Sequence, residues 1–376
     1  MTQRPHRSCH VFPLPRAHAG ILALLLAVLP AAARGGERTP PSVPPWVIEL
    51  GSAGLLAEFG QYDTYGVVQQ RLGLSRAQIE WSRFPGNPTG GYEDSSDVLV
   101  VPVDCTVPLP GAGGHAYLRA GGVSMDNRGA PNITRLDIDT RRAEAQLLYV
   151  PRSDTLLALG AVAEKADIEL RHSGGTIAGD GRGLRADLVH KFAPAWGFTM
   201  RAEYLWSESR TRVPLPTGRT YAFDQDYRRF YGQACVVGTF SRGEASWIPE
   251  GWVVQPLVAA VFERNAFATT TDSFGRPVGG TVGPSDRYST LSAGARLAST
   301  QFRPWRPAPF VECAVERELC NDLDAIIDEP TIVRTAIGVS LNLTHGARLD
   351  LEYSRHDGIG GRRRDQSLTV HVGLLF

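Results

Sequence analysis

Nowhere after Leu29 does this 376-residue chain carry an apolar run long enough to cross a bilayer as a helix. Such a crossing takes about 20 mostly apolar residues, so a helical inner-membrane protein is excluded, in keeping with a mean hydropathy of -0.15. Lysine is nearly missing: Lys165 and Lys191 are the only two, and arginine carries the rest of the positive charge. Nor is there a charge surplus, with 39 basic residues against 39 acidic ones, which removes a nucleic-acid binder with a clustered basic face. Cysteine is scarce. Cys9 lies in the N-terminal leader, and Cys105, Cys235, Cys313 and Cys320 are too few for a disulfide framework and have no zinc-type spacing with any histidine. No internal repeat runs through residues 34-112, and no serine sits in the glycine-flanked form that hydrolases place on a tight turn. No catalytic site, cofactor or metal is expected.

What is present begins with a leader. Arg4, Arg7 and Arg16 precede an apolar run from Ile21 to Leu29, and Pro30-Ala31-Ala32-Ala33 follows. A basic start, a short apolar stretch and small residues at Ala31 and Ala33 form a secretory signal over residues 1-33, cut after Ala33. The mature chain is then an exported one, and its 40 glycines and 26 prolines make it turn-rich.

The strongest pattern is a period of two. Ala347-Arg348-Leu349-Asp350-Leu351-Glu352-Tyr353-Ser354 alternates apolar and polar side chains, as a β-strand with two different solvents on its faces must. Twelve such segments run from 113-123 to 365-376. Segments 124-139, 170-183, 209-225, 265-285, 318-330 and 357-364 read as mostly long loops on one side, and 151-154, 193-196, 241-250, 300-307 and 344-345 as shorter turns on the other. With strand directions assigned, aromatics gather in two bands. Tyr149, Phe192, Trp196, Phe198, Phe240, Trp252, Phe310 and Phe376 fall at one end, and Tyr204, Trp206, Phe230, Phe262, Tyr288 and Tyr353 at the other. Two aromatic girdles belong to a transmembrane barrel rather than a soluble sandwich.

The expectation is an all-β, closed antiparallel transmembrane barrel of twelve strands over residues 113-376. The polar faces form its lumen: Arg142, Glu144 and Gln146; Arg185, Asp187 and Lys191; Arg201 and Glu203; Glu312 and Glu316; Arg334 and Asn342; Arg348, Asp350 and Glu352. Both signs interleave, which suits either a plug of ion pairs or a thin hydrated passage.

Residues 34-112 form a leader of mixed character. Pro40-Pro41-Ser42-Val43-Pro44-Pro45 is stiff and extended. Ser75 as N-cap with Gln78 three residues on marks residues 64-83 as a candidate lumen helix, with a small periplasmic element as the alternative. Asp97 to Cys105 is a further strand-like run. An extra strand makes the count odd, so it either lies outside the barrel or pairs with a neighbour to give fourteen. In the loop after His356, Arg362, Arg363 and Arg364 are candidates for lipid phosphates, with a solvated turn as the alternative.

From residue 113 onward the order and spacing of Leu157-Ala158-Leu159-Gly160, Gly251-Trp252-Val253-Val254-Gln255-Pro256, Pro309-Phe310-Val311-Glu312 and Leu351-Glu352-Tyr353-Ser354 resemble the translocator domain of autotransporters. The terminal strand, with Leu368, Val370, Val372, Leu374 and Phe376 on one face, resembles the C-terminal signal that outer-membrane assembly machinery reads. The resemblance implies a bacterial outer-membrane barrel of twelve strands whose lumen holds a helix linked to an exported passenger. Its partners are outer-membrane lipids and lipopolysaccharide, the barrel assembly machinery, and a small exported or luminal segment of its own chain. A passive pore is the alternative function, and an outer-membrane hydrolase using His371 or His356 the lesser one.

Overall fold

The computed structural model describes residues 43-59, 62-82, 94-129, 136-171, 173-300, 305-324, 329-344 and 346-375. The signal segment with Ala31 and Ala33, and the terminal Phe376, lie outside the described residues. Among the described residues three helices come first: α1 (Pro45–Ser52), α2 (Leu55–Phe59) and α3 (Asp63–Ser82). Fifteen strands follow: β1 (Asp94–Pro108), β2 (Ala116–Gly129), β3 (Leu136–Arg152), β4 (Thr155–Leu170), β5 (Gly175–Ala193), β6 (Trp196–Pro214), β7 (Thr220–Gly238), β8 (Trp252–Phe267), β9 (Thr270–Thr271), β10 (Pro277–Val278), β11 (Ser285–Ser299), β12 (Pro307–Asn321), β13 (Thr331–Thr344), β14 (Ala347–Gly358) and β15 (Arg363–Leu375). Strands β9 and β10 form a separate hairpin, and the other thirteen close into one barrel.

Thirteen replaces the expected twelve, and also the alternative of fourteen. The additional strand is β1, which contains the Asp97 to Cys105 run and stands inside the barrel rather than outside it. Up-and-down neighbours alternate in direction, so an odd count leaves the first and last strands running the same way. The barrel closes accordingly: β1 pairs with β15 in parallel, from Asp94↔Arg363 to Thr106↔Leu375, while every other pair is antiparallel.

Period two sorts the side chains. On β3, Arg142, Glu144 and Gln146 turn inward and are buried, while Leu147 and Tyr149 are half exposed on the outside. Outward apolar groups circle the barrel, with Leu159 64%, Leu184 55% and Ile337 62% exposed. On β15 the described Leu368, Val370, Val372 and Leu374 alternate with inward Ser367 and His371. Two aromatics depart from the expected girdles. Tyr288 is 1% exposed, its hydroxyl accepting from Arg71, and the inward Phe310 ring lies under the Arg296 guanidinium at 5.0 Å.

Several expected outer loops are strand. Most of segments 170-183 and 209-225 belongs to the ends of β4, β5, β6 and β7, and β5, β6 and β7 each reach 19 residues. At about 3.3 Å per residue and a tilt near 40°, such strands rise about 45–50 Å, roughly twice an outer-membrane apolar band. Their upper halves carry polar groups on the outer face, for which antiparallel pairing with water around it is no obstacle. Glycine and aspartate there signalled turns by composition, but backbone pairing continued past them.

The lower rim is the one that carries the β3–β4, β5–β6 and β13–β14 turns and the end of β15. Helix α1 sits there: the Trp46 ring meets Tyr117 edge-on at 5.3 Å, and Leu50, Leu55 and Phe59 share a core with Leu148, Leu156, Val189 and Val237. Proline at its first turn suits a helix start. Helix α3 then climbs the lumen. Ser75 lies within this helix rather than at its cap, because packing inside the barrel extends the helix backward through Gly66 and Gly73. A Cβ on Gly66 would meet Met125 Sδ at 3.1 Å and Val100 Cγ2 at 3.4 Å, and one on Gly73 would meet Ile138 Cδ1 at 3.3 Å. The two glycines let α3 press against β1, β2 and β3. Gly66→Leu is expected to cost about 1–3 kcal/mol by overpacking, read as a lower urea midpoint for loss of the compact barrel; an unchanged midpoint would show the contact to be looser than this.

Candidate functional site: the occupied lumen

Helix α3 makes the lumen a filled space. Going up the barrel, its side chains meet the inward charges in successive layers. In the lowest layer Tyr62, the residue just before α3, donates to Glu144 at 2.8 Å, and Glu144 also accepts from Arg185 at 2.6 Å and Arg142 at 2.5 Å. Arg185 holds Asp187 through two hydrogen bonds of 2.8 and 3.0 Å, and Gln146 donates to the same carboxylate at 2.7 Å. Strands β3 and β5 supply these wall groups, every one at an inward parity.

One turn higher, Tyr65 donates to Glu164 at 2.6 Å, and Arg229 reaches Glu164 at 2.7 Å and Gln69 at 2.8 Å. Gln69 donates in turn to Glu263. Above it Arg71, 1% exposed, donates to Tyr288 at 2.6 Å and Glu316 at 2.7 Å and lies 3.5 Å from Asp365. Near the upper rim Arg76 forks onto Asp286 with bonds of 3.1 and 3.0 Å. Partners of Tyr62 and α3 together thus come from β3, β4, β5, β7, β8, β11, β12 and β15, so the segment is tied around much of the circumference.

A side chain of charge runs past α2. Glu58 lies 3.3 Å from Arg296, Arg296 2.7 Å from Glu312, Glu312 3.1 Å from Arg334, and Arg334 3.3 Å from Glu352. Alternating signs at these distances let each buried charge offset its neighbour's desolvation. Lys191, at the lower rim, pairs with Glu49 of α1 at 2.6 Å. Of the lumen residues expected from sequence, Arg142, Glu144, Gln146, Arg185, Asp187, Arg201, Glu203 and Glu312 are buried together, whereas Arg348 stays part-exposed beside Asp350. Missed entirely were Tyr62, just before α3, and the helix-borne partners Tyr65, Gln69 and Arg71, whose only sequence signal was polar residues at close helical spacing in a segment without a clear apolar face.

The parallel seam has its own clamp. His371 of β15 lies between Asp104 of β1 (Nε2 to Oδ2, 2.6 Å) and Asp350 of β14 (Nδ1 to Oδ2, 3.2 Å), and Arg119 of β2 stands 3.3 Å from Asp104. One ring therefore joins three consecutive strands across the closure. His356 is 3% exposed on the inner face of β14. In the last outer turn Arg363 also points inward: it is fully buried and donates to Glu318, with its backbone N–H donating to Glu329 at 2.8 Å. It is thus withdrawn from the outer basic loop, while Arg362 and Arg364 stay exposed. Among the described residues no group of three or more His, Cys, Asp or Glu gathers as a metal site would, and Cys105, Cys235, Cys313 and Cys320 are free thiols.

No family model and no curated protein sequence matches the chain. Solved structures resemble it at low identity. The β-domain of the Bordetella autotransporter BrkA is 14% identical, covering 69% of this chain and 96% of that one at a TM-score of 0.48. The translocator domain of the autotransporter NalP from Neisseria meningitidis is 10% identical, covering 78% and 94% at 0.48. A Pseudomonas aeruginosa FadL homologue is 11% identical, covering 67% and 68% at 0.42. The chain is a large closed β-barrel with a helix-filled lumen and an apolar outer surface, an architecture consistent with the outer membrane.

Proposed function

We infer that the chain is an integral outer-membrane barrel with a transport or structural role, held closed by its own N-terminal helices. The observation that carries this reading is the inverted polarity of the barrel: large apolar side chains exposed all round the outside, and paired charges tied to α3 within. In water that exterior would be an aggregation surface; against lipid tails it is a match. Export through residues 1-33, with cleavage after Ala33, belongs to the same reading, as does insertion guided by Leu368, Val370, Val372, Leu374 and Phe376. Heat-modifiable migration on a gel and recovery in the outer-membrane fraction are the expected results, and a detergent-independent soluble protein would end the proposal. Deleting Phe376 should lower the yield of assembled barrel while leaving the unfolding midpoint of whatever assembles unchanged.

An autotransporter translocator is the second reading, favoured by a lumen helix that precedes the first strand. The direction of that helix weighs against passenger display. An exported passenger ahead of the helix would leave from the upper rim, but Pro45 and Trp46 lie at the lower rim beside Tyr117, the rim where β15 ends. The helix is better read as a plug. An epitope placed just before Pro45 should stay hidden from antibody on intact cells; surface labelling would restore the translocator reading. A non-catalytic role is part of the proposal, since His371 engages both ring nitrogens with carboxylates. A lipid or peptide hydrolysis lost on His371→Ala or His356→Ala would reverse it.

A further inference from the structure

We propose that the barrel carries a water passage along the inner faces of β13, β14 and β15. It is a recess open at the lower rim, continued upward past Ser354, Ser367 and His356 to Glu329 by a single file of buried water that hydrated ions cannot follow. The proposal rests on the transport reading above and gives that role a path and a permeant.

The helices fill the lower lumen on one side only. The wall residues that pack with Leu50, Leu55 and Phe59 come from β2, β3, β4, β5, β7 and β8, and among the described residues β12 to β15 add none to that core. What β13, β14 and β15 turn inward at this height is polar instead. Taken upward in register, Asn342 and Arg348 stand lowest, then Ser340, Asp350 and His371, then Gly338, Glu352 and Thr369. Access from below falls in that order: the Arg348 side chain is 39% exposed, His371 20%, Asp350 19% and Glu352 14%. In the next row it stops, with Ser354 at 0% and Ser367 at 2%. Successive rows are two residues apart, about 7 Å along the strands, so the recess climbs three rows and ends beneath the serine pair.

Buried polar atoms continue the line. Thr369 Oγ1 stands at the head of the recess with no hydrogen-bond partner among the described residues, and the same holds for both amide atoms of Gln70, both ring nitrogens of His356 and Glu329 Oε1. Gln70 and His356 are each 3% exposed and Glu329 4%. Register sets them one above another. Thr369 is opposite Val100 of β1, the residue that Gly66 of α3 approaches. Gln70 follows Gly66 by four residues, on the same helix face and one turn, about 5 Å, higher, which brings it to the height of Ser354 and Ser367. His356 lies in the row above, in register with Arg334 and Asp365. The Glu329 carboxylate closes the series against Gly358, the upper end of β14.

Dry, these atoms would each carry an uncompensated desolvation cost, and buried water bonded to otherwise unsatisfied groups is the ordinary remedy. The serines between them share one hydrogen bond of 2.7 Å, and each hydroxyl keeps acceptor capacity for a water molecule. Hydroxyl, amide, imidazole and carboxylate groups in succession hand water along by exchanging hydrogen bonds. A hydrated ion has no such route. At the same height Arg71 spans Glu316 and Asp365, and Arg363 holds Glu318, so an ion would have to part buried charge pairs to pass.

The test uses the full chain refolded into phosphatidylcholine vesicles, with osmotic shrinkage followed by stopped-flow light scattering and ion conductance by planar bilayer. Native barrels should speed shrinkage severalfold over protein-free vesicles while the bilayer stays silent. S354V/S367V, which sets methyl groups across the file, should return shrinkage to the protein-free rate, and T369V, nearly the same shape without the hydroxyl, should lower it part of the way. A native rate equal to that of protein-free vesicles, or variants that match the native rate, overturns the passage, and heat-modifiable migration of the same sample leaves the membrane reading intact. Steady ion steps from native barrels overturn the single file. A native chain that enters no vesicle overturns both readings. Should S354V/S367V fail to show heat-modifiable migration, T369V alone decides, and an undiminished rate in it overturns the proposal.

Discussion

Removing residues 45-82 should turn a barrel that is silent in a planar bilayer into one with steady open steps. Barrels of about 8 strands are filled by their own side chains, and those of 16 or more leave an aqueous channel. Thirteen strands lie between, and here the remaining space is taken by α1, α2 and α3. The groups that span the centre of each layer are Tyr62, just before α3, and Tyr65, Gln69, Arg71 and Arg76 of α3 itself. Without them the wall charges face water with both signs exposed, so the pore should discriminate little between anions and cations. The inner faces of β1 and β2 lose their cover, since Val98, Val100, Val123 and Met125 pack with the helix; the variant should therefore also unfold at a lower temperature. A variant that keeps heat-modifiable migration and stays silent would show the lumen to be closed by the wall itself.

Arg71→Met should destabilise the closed barrel by about 3–5 kcal/mol, the cost of stranding buried charge. Its guanidinium is nearly inaccessible and serves Tyr288, Glu316 and Asp365 at 2.6, 2.7 and 3.5 Å, with Glu318 at 3.9 Å. Methionine preserves much of the stem's packing, so the loss is of charge rather than of volume. Three carboxylates would then share Arg363, which already donates to Glu318. The measurement is the urea midpoint of the compact form together with bilayer conductance: a lower midpoint and flickering openings are expected together. Combining Arg71→Met with Glu316→Gln and Asp365→Asn should recover part of the loss, because the stranded charge is removed. A fall of under about 1 kcal/mol would mean that water reaches this layer and screens it.

How far the sequence could be read follows from the range of each interaction. Arg142 and Glu144 face inward and Leu147 and Tyr149 outward because successive side chains on a strand point to opposite faces. That is a property of neighbours two residues apart, legible without any fold. Gly175 to Asp180 reads as loop by composition yet forms the start of β5, because a hairpin continues wherever both backbones can pair. The Asp97 to Cys105 run was legible as strand but not as wall. Its place depended on β15, some 270 residues away in sequence, offering an edge to pair with in parallel. The lumen helix was half legible. Its polar face has no meaning until thirteen strands bring Glu144, Glu164, Glu263, Glu316 and Asp286 around it.

Sequence by itself determined that this is an outward-apolar, inward-charged β protein, since period two and the positions of its aromatics are local and additive along the chain. Tertiary structure alone decided the odd strand count with its parallel seam, the upward course of α3 from the lower rim, and which charges are joined. The physical reason is closure. A barrel's count, seam and filling are set when its first and last strands meet, and the pairs they bring together, such as His371 with Asp104 and Arg71 with Asp365, are distant in the chain until that moment.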